Sequence, residues 1–278
     1  MSLTRKLPRG IYLLIQRYFR HGVGVQSAAL AFYLLFMIFP FLIFISALLG
    51  LLRLDVAGIL LALGEILPRG VVDLIEVYLT YVSRNPNLQL MVFGLVFSIY
   101  FPMRATNSLM RSVRTAYHLG PPRGPARHVL KTLLYTVLLI VTIAAALALM
   151  TVGERVLGYA VDHFRLPAFF AATWARLRFP AVAVVCYFAL FFLYALAQDS
   201  RQPWRDIWPG TLAALAVWMA LSWLYAMYVD NFANYSLLYG SIGTVVVLMI
   251  WLYMSANVLI LGAEFNGTLV ALRKEAGT

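Results

Sequence analysis

Apolar and polar positions in this chain fall in long blocks, not at the short periods of a water-soluble fold. The last apolar block, Asn231 to Ala263, holds no charged residue between Asp230 and Glu264. A helix crosses a bilayer core of about 30 Å with roughly 20 residues, so this block can span with length to spare, at about 237–263. Shorter or similar runs lie at about 28–52, 88–103, 132–152, 179–198 and 207–229. The pattern predicts an all-α integral membrane protein with six transmembrane helices.

The segments between the runs are of different kinds. In residues 1–27, Ile11, Leu14, Ile15, Tyr18 and Phe19 recur at helical spacing, with Arg17 and Arg20 off that face. This predicts an interfacial helix lying on the membrane. Residues 53–87 are interrupted by Asp55, Glu65, Asp73 and Glu76, with apolar positions between them. They predict an outer amphipathic segment of two helices broken near Pro68 and Gly70. Arg104 to Lys131 is a basic loop without a single Asp or Glu, residues 153–178 form a mixed-charge loop, and 264–278 form a short tail. Pro40 lies inside the first run and Pro102 at the end of the second, where each removes a helical hydrogen bond and favours a kink.

Composition agrees with a lipid-solvated chain: 63% hydrophobic, 12% charged, mean hydropathy +0.84. The net charge of +11 changes the picture only when it is divided by side. Six spans place both termini together, and that side carries 15 of the 22 Lys and Arg residues with 4 acids. The opposite side carries 7 of each, so the whole excess lies with the termini. By the positive-inside rule that side is cytoplasmic, and no nucleic acid is needed to explain the basic composition. The apolar segment after the basic N-terminus is broken by Gln16, Arg17, Arg20 and His21, so no cleavable signal peptide is expected. The single cysteine, Cys186, cannot form an internal disulfide.

Catalytic and metal chemistry find no constellation here. The cytoplasmic side offers Asp199, Asp206, Glu264, Glu275 and three histidines, none at the i, i+3 or i, i+4 spacing that would aim two ligands at one cation. No enzyme activity, metal or cofactor is expected. The acid-free loop is the stronger candidate. On a helix continuing from the second span, Arg104 shares a face with Arg111, and Arg111 with Arg114. Guanidinium groups suit phosphate, and basic pockets at this depth hold anionic lipid headgroups. The plainer role of these arginines is to fix topology. Only Tyr117 is at hand for stacking on bases, so nucleic-acid binding is not expected.

Further candidates lie in the spans. Pro40 and Pro102 are candidate path or hinge positions, or simply packing kinks. Ser236, Gly240 and Thr244 form a row of small residues, with Gly243 nearby; such rows let helices approach closely, and Gly240 and Gly243 are also candidate path or hinge positions. Asn257, Glu264 and Asn266 are the polar residues on the inner half of the last span, and Asn257 and Glu264 join Arg104, Arg111 and Arg114 as candidate substrate contacts. Glu264 is the only carboxylate adjoining that end. It is either an acid paired with a loop arginine or a titrating group in transport.

Several stretches resemble one family. Tyr239, Gly240, Ser241, Ile242 and Gly243 lead to Trp251, Tyr253 and Ser255, and then to Gly262, Glu264 and Asn266. Tyr33, Phe39 and Pro40 in the first span, and Trp204, Asp206, Pro209 and Gly210 before the fifth, fit the same pattern. Over nearly its full length the chain is similar to the YihY/BrkB family of bacterial inner-membrane proteins. The resemblance implies a six-helix inner-membrane protein. Members have been called ribonuclease BN, a label regarded as a misassignment. Others are linked to serum resistance as virulence factors, or to moving lipid or lipopolysaccharide precursors.

The expected function is an inner-membrane transporter or flippase of a lipid-like or amphipathic anion, the alternative being a non-transporting membrane scaffold. Membrane lipids and the anionic substrate are the expected partners, with a homo-oligomer left open. The chain shows no ATP-binding motif, so active transport would draw on an ion gradient or a partner ATPase. Topology can be read directly. A reporter at Pro121 is expected in the cytosol and one at Asp162 on the far side; a Pro121 reporter found outside would invert the orientation.

Overall fold

In the computed structural model every described element is helical. The structure describes residues 3–52, 60, 72–73, 76–77, 88–120, 124, 126–142, 145–146, 169–198, 203–231 and 235–276. The helices are α1 (Leu3–Arg20), α2 (Val23–Leu52), α3 (Leu88–Ala116), α4 (126–142), α5 (Phe169–Leu196), α6 (Trp208–Asn231) and α7 (Tyr235–Ala276), with a 3₁₀ turn at Trp204–Asp206 before α6. Five stretches among the described residues are long and apolar enough to cross a membrane: Val23–Phe44, Leu88–Ala116, Phe179–Leu196, Trp204–Val229 and Gly243–Glu275. Helical structure suits this composition because a helix satisfies its own backbone where no water can.

Three elements run past the limits that hydropathy sets. α3 continues thirteen residues beyond the apolar run ending at Met103, and carries Pro102 buried within it, not at its end. α5 begins at Phe169, ten residues before the run expected at 179, and includes Arg176, Arg178 and Pro180. α7 continues from Glu264 to Ala276, through residues expected as a tail. In each case the charged residues end the apolar run but not the helix. Alanine, leucine and arginine, all good helix formers, carry it onward. At 42 residues, α7 is about 63 Å long at 1.5 Å per residue, twice the depth of a bilayer core.

Expectations for the outer segment 53–87 fall mostly outside the described residues; residues 60, 72–73 and 76–77 are helical. The third run, 132–152, is helical over 132–142 and 145–146, its remainder lying outside the described residues.

The chain divides into two compact units, one of Met1–Met37, Tyr100–Thr136 and Leu190–Thr278, the other of Ile38–Ile99 and Val137–Ala189. In the second unit α2 and α3 approach at Gly94, where a Cβ would lie 2.7 Å from the Phe44 backbone nitrogen. Pro40, buried inside α2, belongs to this unit.

The first unit is built on the antiparallel pair α6–α7. Gly210 meets Gly262 and Asn266. Further along, the Trp218 indole donates to Ser255 Oγ at 3.0 Å, the Trp251 indole to Ser222 Oγ at 3.4 Å, and the Tyr225 hydroxyl to the Val247 carbonyl at 2.6 Å. Partner numbers on α7 fall as those on α6 rise, which fixes one register over most of the length of α6. Small residues make the closest approach and polar groups tie the rest, as membrane helices require when lipid is as apolar as the side chains. Ala31 and Leu35 of α2 pack with Leu252 of α7.

The α6–α7 crossing sets a sharp test. A Cβ on Gly210 would overlap the Gly262 carbonyl and the Asn266 side chain, whereas one on Gly120 would meet nothing within 4 Å. Gly210→Ala is expected to lower stability by about 1–3 kcal/mol, the usual cost of overpacking, and Gly120→Ala to stay within about 0.5 kcal/mol. Thermal unfolding of both variants in detergent measures the difference.

Candidate functional site

Two polar places lie within the first unit, one closed and one open. The closed one surrounds the inner end of α7. Asn266, fully buried, accepts the Gly210 amide on Oδ1 and donates from Nδ2 to the Ile207 carbonyl, both at 2.7 Å. It thereby satisfies backbone groups at the start of α6 that a helix terminus leaves unpaired. Glu264, one turn or less away and 1% exposed, faces α1. His21 Nδ1 donates to its Oε1 at 2.6 Å, and Arg17 Nη1 stands 3.7 Å from its Oε2. Arg17 also donates to the carbonyl of Ala116 at the C-terminus of α3, at 3.0 Å, where the helix dipole favours a cation. Gly267 permits this meeting, since a Cβ there would overlap the Ala116 carbonyl.

The end of α3 is shaped for the same contact. Leu119 N–H bonds the Arg114 carbonyl at 2.9 Å and His118 N–H that of Thr115 at 3.0 Å, with His118 at φ 53. This is a Schellman close with histidine in the usual glycine position. The His118 ring stands edge-to-face on His21, centroids 5.4 Å apart. Burial first, then Arg17, His21 and Arg20, holds the His118 imidazole below its ordinary range. Its neutral form therefore favours the fold at pH above that range, and the contribution fades as pH falls through the lowered value. Tyr117, whose phenol burial pushes up, donates to the Asp206 carbonyl at 3.1 Å.

The open place is a hollow of about 350 Å³ between α2 and α3, walled by Gln26, Tyr33, Arg104, Asn107, Ser108 and Arg111 among others. Arg104 donates to the Tyr33 hydroxyl at 3.2 Å, and its guanidinium carbon lies 5.4 Å from the Tyr33 ring centre and 6.0 Å from that of Tyr100. Arg104 and Arg111 are exposed, and neither has an ion pair among the described residues. Because α3 does continue past Met103, these two arginines share a face at the mouth of the hollow.

The other residues singled out from the sequence lie elsewhere. Arg114 is buried, donating to the Ala197 carbonyl at 3.1 Å and to that of Gly120. It pins the ends of α5 and α3 and does not line the hollow. Asn257 accepts the Tyr18 hydroxyl at 3.3 Å and donates to the Tyr253 carbonyl at 2.9 Å. Gly243 is buried in α7, and Gly240 lies in the same helix. Among the described residues Glu264 pairs with Arg17 of α1 and with His21. Arg17 thus points inward, while Ile11, Ile15 and Phe19 face outward. One signal could have pointed to its role: α1 carries arginines without an acid, so an acid partner for them must come from another element.

Among the described residues no group of three or more His, Cys, Asp and Glu is placed to hold a metal ion.

The chain's likeness to known proteins is consistent along its length. A family model described as "Virulence factor BrkB" matches residues 14–277. A "Putative ribonuclease-like protein YfkH" of Bacillus subtilis (strain 168) is 32% identical over 261 residues, 94% of this chain and 95% of its own. A "UPF0761 membrane protein" of Alkalilimnicola ehrlichii is 37% identical over 94 residues, 32% of this chain and 21% of its own. The "UPF0761 membrane protein YihY" of Salmonella newport (strain SL254) is 30% identical over 91 residues, 33% and 31% of the two chains. No solved structure matches.

The two kinds of arginine separate by stability. Arg114→Ala leaves two carbonyls without their donor and is expected to cost about 1–3 kcal/mol. Arg104→Ala and Arg111→Ala are expected to leave the unfolding midpoint where it is. Unfolding followed by tryptophan fluorescence checks all three.

Proposed function

The chain belongs to the BrkB virulence-factor family of membrane proteins, and from that premise we propose that it carries an amphipathic anion, a lipid-like molecule with a phosphate-bearing headgroup, across the bacterial inner membrane. The observation that carries this reading is the pair Arg104 and Arg111 on the wall of the open hollow. Two guanidinium groups on one helix face, without a carboxylate partner among the described residues, leave their donor forks available to phosphate oxygens. Tyr33 orients one of them. The hollow begins where the apolar run of α3 ends, the depth at which a lipid headgroup rests against a membrane protein. Arg114 has no part in it, being spent on backbone carbonyls.

The orientation belongs to the same proposal. Six spans, the sixth supplied by α4 and the residues after it, place both termini and the basic excess in the cytosol, with α1 lying at the interface. The hollow then opens toward the cytosolic leaflet. The ribonuclease-like name of the Bacillus subtilis relative suggests another chemistry. Nothing among the described residues gathers the acids such a reaction would use, whereas the arginine pair has a direct use in anion transport.

Vesicles reconstituted with the full chain and a fluorescent anionic phospholipid test the idea. Transfer between leaflets is expected to drop about tenfold in the Arg104→Ala, Arg111→Ala double variant, in line with losing charge-assisted contacts. A zwitterionic probe is expected to show no comparable drop. Equal transfer of the anionic probe by wild type and double variant would remove the arginines from the function. Uptake of a soluble organophosphate in the same vesicles, with no lipid transfer, would redirect the site to a free anion.

A further inference from the structure

Glu264 is a carboxylate taken out of water and then incompletely answered. Its Oε1 receives the His21 proton donor at 2.6 Å. Its Oε2 is buried and accepts no hydrogen bond from any described residue. The nearest cation, Arg17 Nη1, stands 3.7 Å away, beyond hydrogen-bond distance, and is directed at the Ala116 carbonyl at 3.0 Å. An ordinary buried ion pair closes both oxygens, because a charge in low dielectric holds only with its hydrogen bonds complete. Here one oxygen is left open.

Its direct partners are Arg17 of α1 and His21 of the turn after it. His118, at the end of α3, stands on the His21 ring, and the exposed Arg20 of α1 acts on His118. One acid therefore answers one arginine and one histidine directly, with a second histidine and a second arginine behind them. The joint beside them is a two-residue turn, His21 and Gly22. Gly22, at φ 63 with open space where a Cβ would be, links α1 to α2. The outward stripe of α1, Ile11, Ile15 and Phe19, is already exposed.

We propose that Oε2 of Glu264 is a proton-binding site, and that its occupancy sets whether α1 stays docked on α7. A proton taken from water forms one O–H bond at Oε2, turning the carboxylate into a neutral acid. His21 keeps its Nδ1 proton, and no other covalent bond changes. The Arg17–Glu264 pair passes from zero net charge to +1. Arg17 and the two histidines then stand together with no anion between them, and α1 loosens about Gly22. The depressed His118 imidazole acts in the same direction, since it too gains charge as pH falls. This site needs no transported substrate and stands apart from the arginine hollow.

The experiment uses the full chain in lipid nanodiscs, moved between about pH 8 and about pH 5, the range in which imidazole and buried acids change charge. Infrared difference spectra are expected to show a carboxylic-acid band in the wild type that is missing in Glu264→Gln. In a Cys186→Ala background, spin labels at Tyr12→Cys and Leu212→Cys report the distance from α1 to α6. That distance is expected to lengthen on acidification, to do so also with His118→Gln, and to stay fixed with Glu264→Gln. An acid band that survives Glu264→Gln, or a distance change of equal size in that variant, would overturn the proposal. If Glu264→Gln does not fold, Glu264→Asp keeps the acid with a shorter reach. The midpoint is then expected to move by about one pH unit, and an unmoved midpoint counts against the site. Neither readout involves lipid transfer, so this idea and the transport reading can fail separately.

Discussion

A carboxylate placed in the protein interior must be answered by the protein. Glu264 is 1% exposed, and removal of its charge from water is costly unless cations and donors close around it. Much of the architecture at this end of the chain follows from that need. α1 brings Arg17, and the turn after it His21, to the acid, while Gln16 and Arg20 stay exposed. α3 runs on past its apolar run so that the carbonyl of Ala116 can share Arg17. α7 carries glycine at 267 so that the backbone of α3 can come close enough. Ile11, Ile15 and Phe19 of α1 are left outside as a consequence, while Leu14 and Tyr18 are half-buried.

The same logic governs the start of α6. A helix leaves its first amides unpaired, and in an apolar setting each must find an acceptor. Asn266 supplies an acceptor to Gly210 and a donor to Ile207. Gly210 and Gly262 bring the backbones near enough for a short side chain to reach. Asn266 and Glu264 lie two residues apart on α7 and so point in different directions. One faces α6 and the other α1, which makes the inner part of α7 the common support of both.

The architecture was legible in the sequence where solvation decides it. Apolar runs identify membrane helices because lipid rejects charge wherever it occurs along the chain, and the family resemblance is borne out by a match over residues 14–277. Helix limits were less legible. Arg104 ends the apolar run of α3 but is a good helix former, so hydropathy and helix part company there. The same holds for Arg176 and Arg178 at the start of α5. Least legible was the direction of α1. Periodicity gives its two faces but not which one the protein takes. The answer depends on Glu264, some 240 residues away, and tertiary pairing of that kind leaves no local pattern.

The three arginines following Met103 show why residue type and spacing stop short of a role. Arg104, Arg111 and Arg114 are equal as sequence, and all three suit an anion. What separates them is the neighbourhood. Arg114 lies where the ends of α3 and α5 present backbone carbonyls with no donors of their own, and those carbonyls take its guanidinium. Arg104 and Arg111 lie on the face turned to the hollow, where the neighbours are hydroxyls, the amides of Gln26 and Asn107, and the Tyr33 ring. Such groups orient a guanidinium without neutralising it. A cation neutralised by the fold contributes to the fold; a cation merely oriented by it keeps its field for something that arrives. That difference is why the proposed anion site is the hollow and not the basic loop as a whole.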